Sequence, residues 1–198
     1  MTTLCQATPP QSQLIARRSV LLASLLLPVA LTTRAAPSAV PPEVAERLPQ
    51  ARLQGAGRLT FFALHVYDAR LWADADFKPT SYSQQPLALE LDYARSLDGK
   101  AIAERSIEEM RRQADLSDRK AASWLAQMSA IFPDVNAGDR ITGIQRPNEA
   151  TSFFFNGRPS GEIRDPEFTA LFFGIWLSAK TSEPALRKAL IGGAGRST

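Results

Sequence analysis

Few side chains in this sequence could do chemistry, and they cluster. His65 is the only histidine and Cys5 the only cysteine. Between Gly55 and Trp72 (GAGRLTFFALHVYDARLW) the chain places a cation at Arg58, an imidazole at His65 and a phenol at Tyr67. One imidazole with no cysteine nearby cannot build a histidine- or cysteine-based metal site. A serine–histidine hydrolase needs an oriented triad, with the serine often on a G-x-S-x-G elbow, and that motif is absent. His65 therefore reads as a satisfied strand residue rather than a general base. Arg58 and Tyr67 stay open: each could face a ligand, or serve as a salt-bridged arginine and a core tyrosine. No metal and no cofactor is expected.

The stretch that carries them is too long for an ordinary strand of about 5–6 residues. It must bend, bulge or fold into a hairpin. Leu87 to Leu97 alternates as a strand, with Leu87, Leu89, Leu91 and Tyr93 on one face and Glu90 and Asp92 on the other. Arg95 follows, and its simplest reading is an ion pair to Asp98 or Glu104. Two helices are predicted over 100–114 and 118–132, the second capped by Ser117 or Asp118 and striped by Ala121, Trp124, Leu125, Met128 and Phe132. Strands are predicted over 140–146, 151–155 and 158–163, with Asn156-Gly157 as a hairpin turn. Pro166 to Leu177 is apolar nearly all round and reads as a buried helix, and 184–190 as a short last one. Strands, two helices, strands, two helices is an α+β pattern: a largely antiparallel sheet covered by helices on one face.

The N-terminus reads as an export signal. Arg17 and Arg18 precede the apolar run Val20–Leu31, and small residues at Thr33 and Ala35 suit cleavage after Ala35. Twelve residues fall short of the roughly 20 that span a bilayer as a helix. The segment ARRSVLLA resembles a twin-arginine signal. Residues 1–35 are thus expected to be a signal peptide, 36–52 a proline-rich leader, 53–191 the domain and 192–198 a flexible tail, with a periplasmic location. Losing Arg17, Arg18 and Arg34 takes the 23 basic residues to 20, against 20 acidic. A chain with no basic excess has no electrostatic footprint for nucleic acid. Cys5 lies upstream of the apolar run, where it could not anchor a lipoprotein. The expectation is a monomer of about 160 residues with no disulfide and no membrane span after processing.

Three blocks in order, GAGRLTFFALHVYDARLW, LDYARSLDGKAIAE and AGDRI…FFFNGRPSGEIRD…FFGIWLSAKTSEPALRKALIG, resemble the chalcone isomerase-like family. The resemblance covers roughly Leu53 to Ile191. It implies an open-faced β-sandwich with a ligand cleft between sheet and helices. The family holds isomerases that cyclise chalcones and non-catalytic relatives, some binding fatty acids. Carried over by position, Arg58 matches the arginine that neutralises an anionic substrate, and Tyr67 the tyrosine that assists carboxylate binding. The helix-side tyrosine would fall at Asp115–Ser117 and the buried helix's polar residue at Gly174 or Ile175; neither place has one. Arg58 with Tyr67 suits carboxylate capture better than ring closure, which needs an oriented donor network. On one straight strand the two would lie on opposite faces, so their pairing requires a bulge or turn. The resemblance thus implies a non-catalytic protein binding a small apolar or acyl-chain ligand through Arg58 and Tyr67. The alternatives are an intramolecular lyase on a chalcone-like or enone substrate, and an envelope partner protein with no small ligand.

Overall fold

The overlong β-rich stretch folds as a hairpin. In the computed structural model, which describes residues 39–192, strand β1 (Arg52–Phe61) turns at Phe62-Ala63 into β2 (Leu64–Ala73). Strands β3 (Leu87–Tyr93), β4 (Arg140–Arg146), β5 (Ala150–Phe155) and β6 (Arg158–Ile163) follow. All pair antiparallel in chain order, making a six-stranded meander. Asn156 and Gly157, both at positive φ, form the β5–β6 turn that their types favour. The expected signal peptide lies outside the described residues, as do residues 193–198 of the expected tail.

Period-two alternation divides the sheet into two faces. Ala69, Leu71, Leu89, Leu91, Tyr93, Ile141 and Phe153 point into the main core, under helices α2 (Gly99–Arg111), α3 (Asp118–Ile131), α4 (Pro166–Leu177) and α5 (Pro184–Ile191). Each helix start is set locally. Asp98 caps α2 by accepting from the Ala101 amide at 3.0 Å, and Ser117 caps α3. Asp165 caps α4 through the Glu167 and Phe168 amides, while its second oxygen accepts from the Trp124 indole at 2.9 Å, tying α3 to α4. α2 stops at Arg111, three residues before the periodicity suggested.

The opposite face is covered by residues that the sequence pattern left in a proline-rich leader. Pro42–Arg47 forms a short helix, α1, with Val44 packed on Trp72, Ala88, Ile144 and Phe154. Buried Glu43 accepts from Arg140 and from the Thr142 hydroxyl, each at 2.9 Å. Beside it, buried Glu90 accepts from Arg70 at 2.9 Å and from the Trp72 indole at 2.8 Å. Charges removed from water persist only when paired in this way.

The Gly-Ala-Gly opening of the hairpin has a packing cause. A Cβ on Gly55 would collide with the carbonyl oxygens of Ala189 and Leu190, and one on Gly57 would meet Leu186 Cδ1 at 2.7 Å. Bare backbone there lets α5 lie directly on β1. Among the described residues, no helix is long and apolar enough to cross a membrane.

Candidate ligand cavity

Between the sheet and the helices lies a cavity of about 360 Å³. The β1–β2 hairpin contributes Leu59, Phe61, Val66 and Tyr67, and β3 and β4 add Leu91, Tyr93 and Ile141. Helix α2 closes one side with Ile102, Arg105, Ser106 and Glu109, and α4 the back with Phe172, Ile175 and Trp176. Arg95, Ser182 and Glu183 complete the rim. The volume lies at the small end of ligand pockets, about 300–1,000 Å³, and exceeds twice the roughly 150 Å³ that accepts a benzene in an engineered apolar cavity.

Two phenols, Tyr67 and Tyr93, stand among the aliphatic and aromatic side chains of the sheet wall. The Trp176 indole N–H donates to the Tyr67 oxygen at 2.9 Å, which leaves the Tyr67 proton free for another acceptor. The Tyr93 ring meets that of Tyr67 edge-on at 5.8 Å, and its hydroxyl has no hydrogen-bond partner among the described residues. Burial pushes both phenols well above the usual tyrosine range. At any ordinary pH they are neutral O–H donors.

Charged side chains share the cavity wall. Arg105 approaches Glu108 at 2.9 Å and Glu109 at 2.6 Å, and Arg112 lies 3.5 Å from Glu109. The Glu109 contacts fall outside hydrogen-bond geometry, so its buried carboxylate is balanced by charge without a directed donor. Arg95 makes no ion pair among the described residues. The expected partners are otherwise engaged: Asp98 caps α2 and Glu104 pairs with Lys100 at 3.7 Å. Arg95 instead reaches the cavity rim.

The structure separates the two residues that the sequence would pair. Tyr67 lines the cavity, but Arg58 does not. The hairpin supplies a turn and a bulge at Leu59/Thr60, yet its register sets Tyr67 opposite Leu59 and Arg58 opposite Asp68, on the other face. There the Arg58 Nε donates to Asp68 at 2.8 Å in an exposed pair. Hydrogen bonding from Arg58 chiefly holds the Asp68 carboxyl below its usual range. His65 joins the same group, its Nε2 3.3 Å from Asp68. The imidazole is therefore outside the cavity. Of the family positions without a matching residue, Asp115–Leu116 border a separate shallow recess beside Lys180. Gly174 faces Gln113 and Tyr82, while Ile175 lines the cavity. Tyr93 is a cavity residue that sequence reasoning left unassigned, although its alternation with Leu89 and Leu91 already put it on the helix-facing side. Among the described residues no cluster of side chains could hold a metal.

A family model described as chalcone isomerase-like matches residues 36–192. An uncharacterised protein of Haemophilus influenzae is 29% identical over 138 residues, which cover 70% of this chain and 66% of that relative. The chain thus spans just under two thirds of that relative's length. Among solved structures, a fatty-acid binding protein of Arabidopsis thaliana superposes with a TM-score of 0.59 at 13% identity, covering 73% of this chain and 88% of the other. That likeness is one of fold.

Proposed function

The chain belongs to the chalcone isomerase-like family, and from that premise we propose that it is a non-catalytic binding protein for a small amphiphile of the fatty-acid type. The observation that carries this reading is the apolar cavity with two neutral phenol donors, Tyr67 and Tyr93, in its wall. An acyl chain occupies the apolar part, against Phe132, Ile141 and Phe172. The ligand's oxygen takes the free proton of Tyr67 and that of Tyr93, with Arg95 and Arg105 providing positive charge toward the opening. Binding is favoured over turnover because the one imidazole lies on the opposite face and the buried carboxylate that lines the cavity, Glu109, is held between two guanidinium groups. The fold shared with the Arabidopsis fatty-acid binding protein supports this reading.

A series of straight-chain carboxylic acids tests the reading. Each added methylene contributes about 0.8 kcal/mol on burial, close to a fourfold gain in affinity, until the cavity is full. An affinity that climbs and then levels off with chain length supports it; one flat with length contradicts it. The basic–apolar N-terminal pattern further supports export to the periplasm. Mass spectrometry finding a mature chain that starts at Ala36 in that fraction agrees with this, whereas an intact Met1 form in the cytosol opposes it.

A further inference from the structure

Among the described residues, the large apolar side chains that stand exposed are those at the β1–β2 turn. Phe62 is 86% exposed, Phe61 62% and Leu64 53%. The Phe61 and Phe62 rings meet edge-on at 4.5 Å, so the tip is a single apolar wedge. Its backbone is also unusual. Phe62 and Ala63 take φ of 47° and 62°. A two-residue hairpin loop with both residues at positive φ is ordinarily made by Asn-Gly, and a bulky side chain there carries strain. Neither solubility nor local preference favours phenylalanine at this point, and conflicts of that kind gather at functional sites.

The wedge is continuous with the cavity, because Phe61 both projects to solvent and lines the opening. A cation stands at the same end of the sheet. The Ala94 amide donates to the Val66 carbonyl at 2.9 Å, which sets Arg95 one residue further on, beside the hairpin tip. Arg58 is matched by Asp68, and Arg105 by Glu108 and Glu109, so Arg95 is the unmatched cation here. Glu183 stands on the other wall, at the start of α5. An apolar wedge flanked by a free guanidinium and opening into an acyl-sized cavity has the chemistry of a membrane-surface contact.

We propose that the Phe61–Leu64 tip docks on an anionic lipid bilayer, inserting Phe62 and Leu64 among the headgroups while Arg95 meets lipid phosphate, so that the cavity opens toward the membrane. The proposal rests on the amphiphile-binding reading for its purpose, but its test does not. Ligand-free protein is sedimented with vesicles of phosphatidylethanolamine and phosphatidylglycerol, and separately with vesicles of phosphatidylcholine alone. The informative variant is Phe62→Asn with Ala63→Gly, which removes the most exposed ring of the wedge and installs the preferred turn. Neither residue lines the cavity. Its melting temperature is expected to hold or rise, its solution affinity for a fatty acid to stay unchanged, and its partitioning to anionic vesicles to fall about tenfold or more. Arg95→Gln is expected to lose about fivefold on anionic vesicles and nothing on neutral ones. Wild-type protein that stays in the supernatant with every vesicle overturns the docking, even if it binds fatty acids in solution. So does a wild type that self-associates through the tip, seen as a dimer that the double variant abolishes, without pelleting on lipid. Equal pelleting of wild type and the double variant overturns it as well.

Discussion

Replacing Tyr67 with phenylalanine removes one oxygen and leaves the ring, so its consequences can be worked out one contact at a time. The Trp176 indole N–H, now 2.9 Å from that oxygen, loses its acceptor in a side chain only 6% exposed. A buried donor left without a partner costs about 1–3 kcal/mol. For a domain of this size each kcal/mol lowers the melting temperature by about 2–4 °C. The edge-on packing on Tyr93 persists, and no cavity is created. The second consequence concerns ligand. If the free Tyr67 proton meets a carboxylate, the lost hydrogen bond is to a charged group and worth about 1.5–3 kcal/mol, a weakening of roughly 10- to 160-fold. If it meets an alcohol, the figure is about 0.5–1.5 kcal/mol, or roughly two- to tenfold. Urea denaturation measures the first effect, and calorimetric titration with dodecanoate and dodecanol the second. A variant that is less stable yet binds both ligands as the wild type does would refute the ligand role and leave Tyr67 a structural acceptor for Trp176. A variant with unchanged stability would refute the contact itself. In a cycle with Trp176→Phe, the two losses should be less than additive, because one hydrogen bond is removed by either change.

Other outcomes follow from the same geometry. Arg58→Gln should leave fatty-acid affinity within about twofold and stability nearly unchanged, since it breaks only an exposed pair with Asp68; a large loss of binding would return Arg58 to the site. Gly55→Ala should lower stability by about 1–3 kcal/mol or more, because the new methyl meets the Ala189 and Leu190 backbone. Gly57→Ala should cost less, since it presses on the Leu186 and Ala189 side chains; hydrogen exchange in α5 would show the difference. Stability should decline above about pH 10, where the unfolded chain ionises phenols that burial keeps protonated in the fold. The slope reaches about 1.4 kcal/mol per pH unit for each of Tyr67 and Tyr93. Below that pH neither contributes a dependence, and Tyr93→Phe should flatten the alkaline limb.

The fold was largely legible because its signals are local. Leu87 to Tyr93 alternates, Asn156-Gly157 fits a tight turn, and Asp98, Ser117 and Asp165 each stand where a helix begins. The length of Gly55–Trp72 required a reversal, but its turn falls at Phe62-Ala63, which carries no turn signature. Without the turn position, register could not be assigned, and register decides that Tyr67 faces the helices while Arg58 faces away. α1 escaped notice because six residues among prolines show no helical period; it exists through Val44 and Glu43 packing on a sheet face formed far along the chain. Arg95 has two acidic neighbours in sequence, Asp98 and Glu104, but the fold engages them as a helix cap and as the partner of Lys100. The α1 packing is a long-range contact that no short window of sequence contains, whereas the engagement of Asp98 and Glu104 is local and was hidden by competition among neighbouring partners.

Under the proposed function, the cavity between the sheet and α2 and α4 holds an acyl chain. The most direct test of that function is titration of dodecanoate into the wild type and into Ile175→Trp, which places an indole in that space from the α4 wall. Saturable one-to-one binding to the wild type is expected, with at least a tenfold loss in a variant that still melts cooperatively. Binding that is absent from the wild type, or undiminished when the cavity is filled, would contradict it.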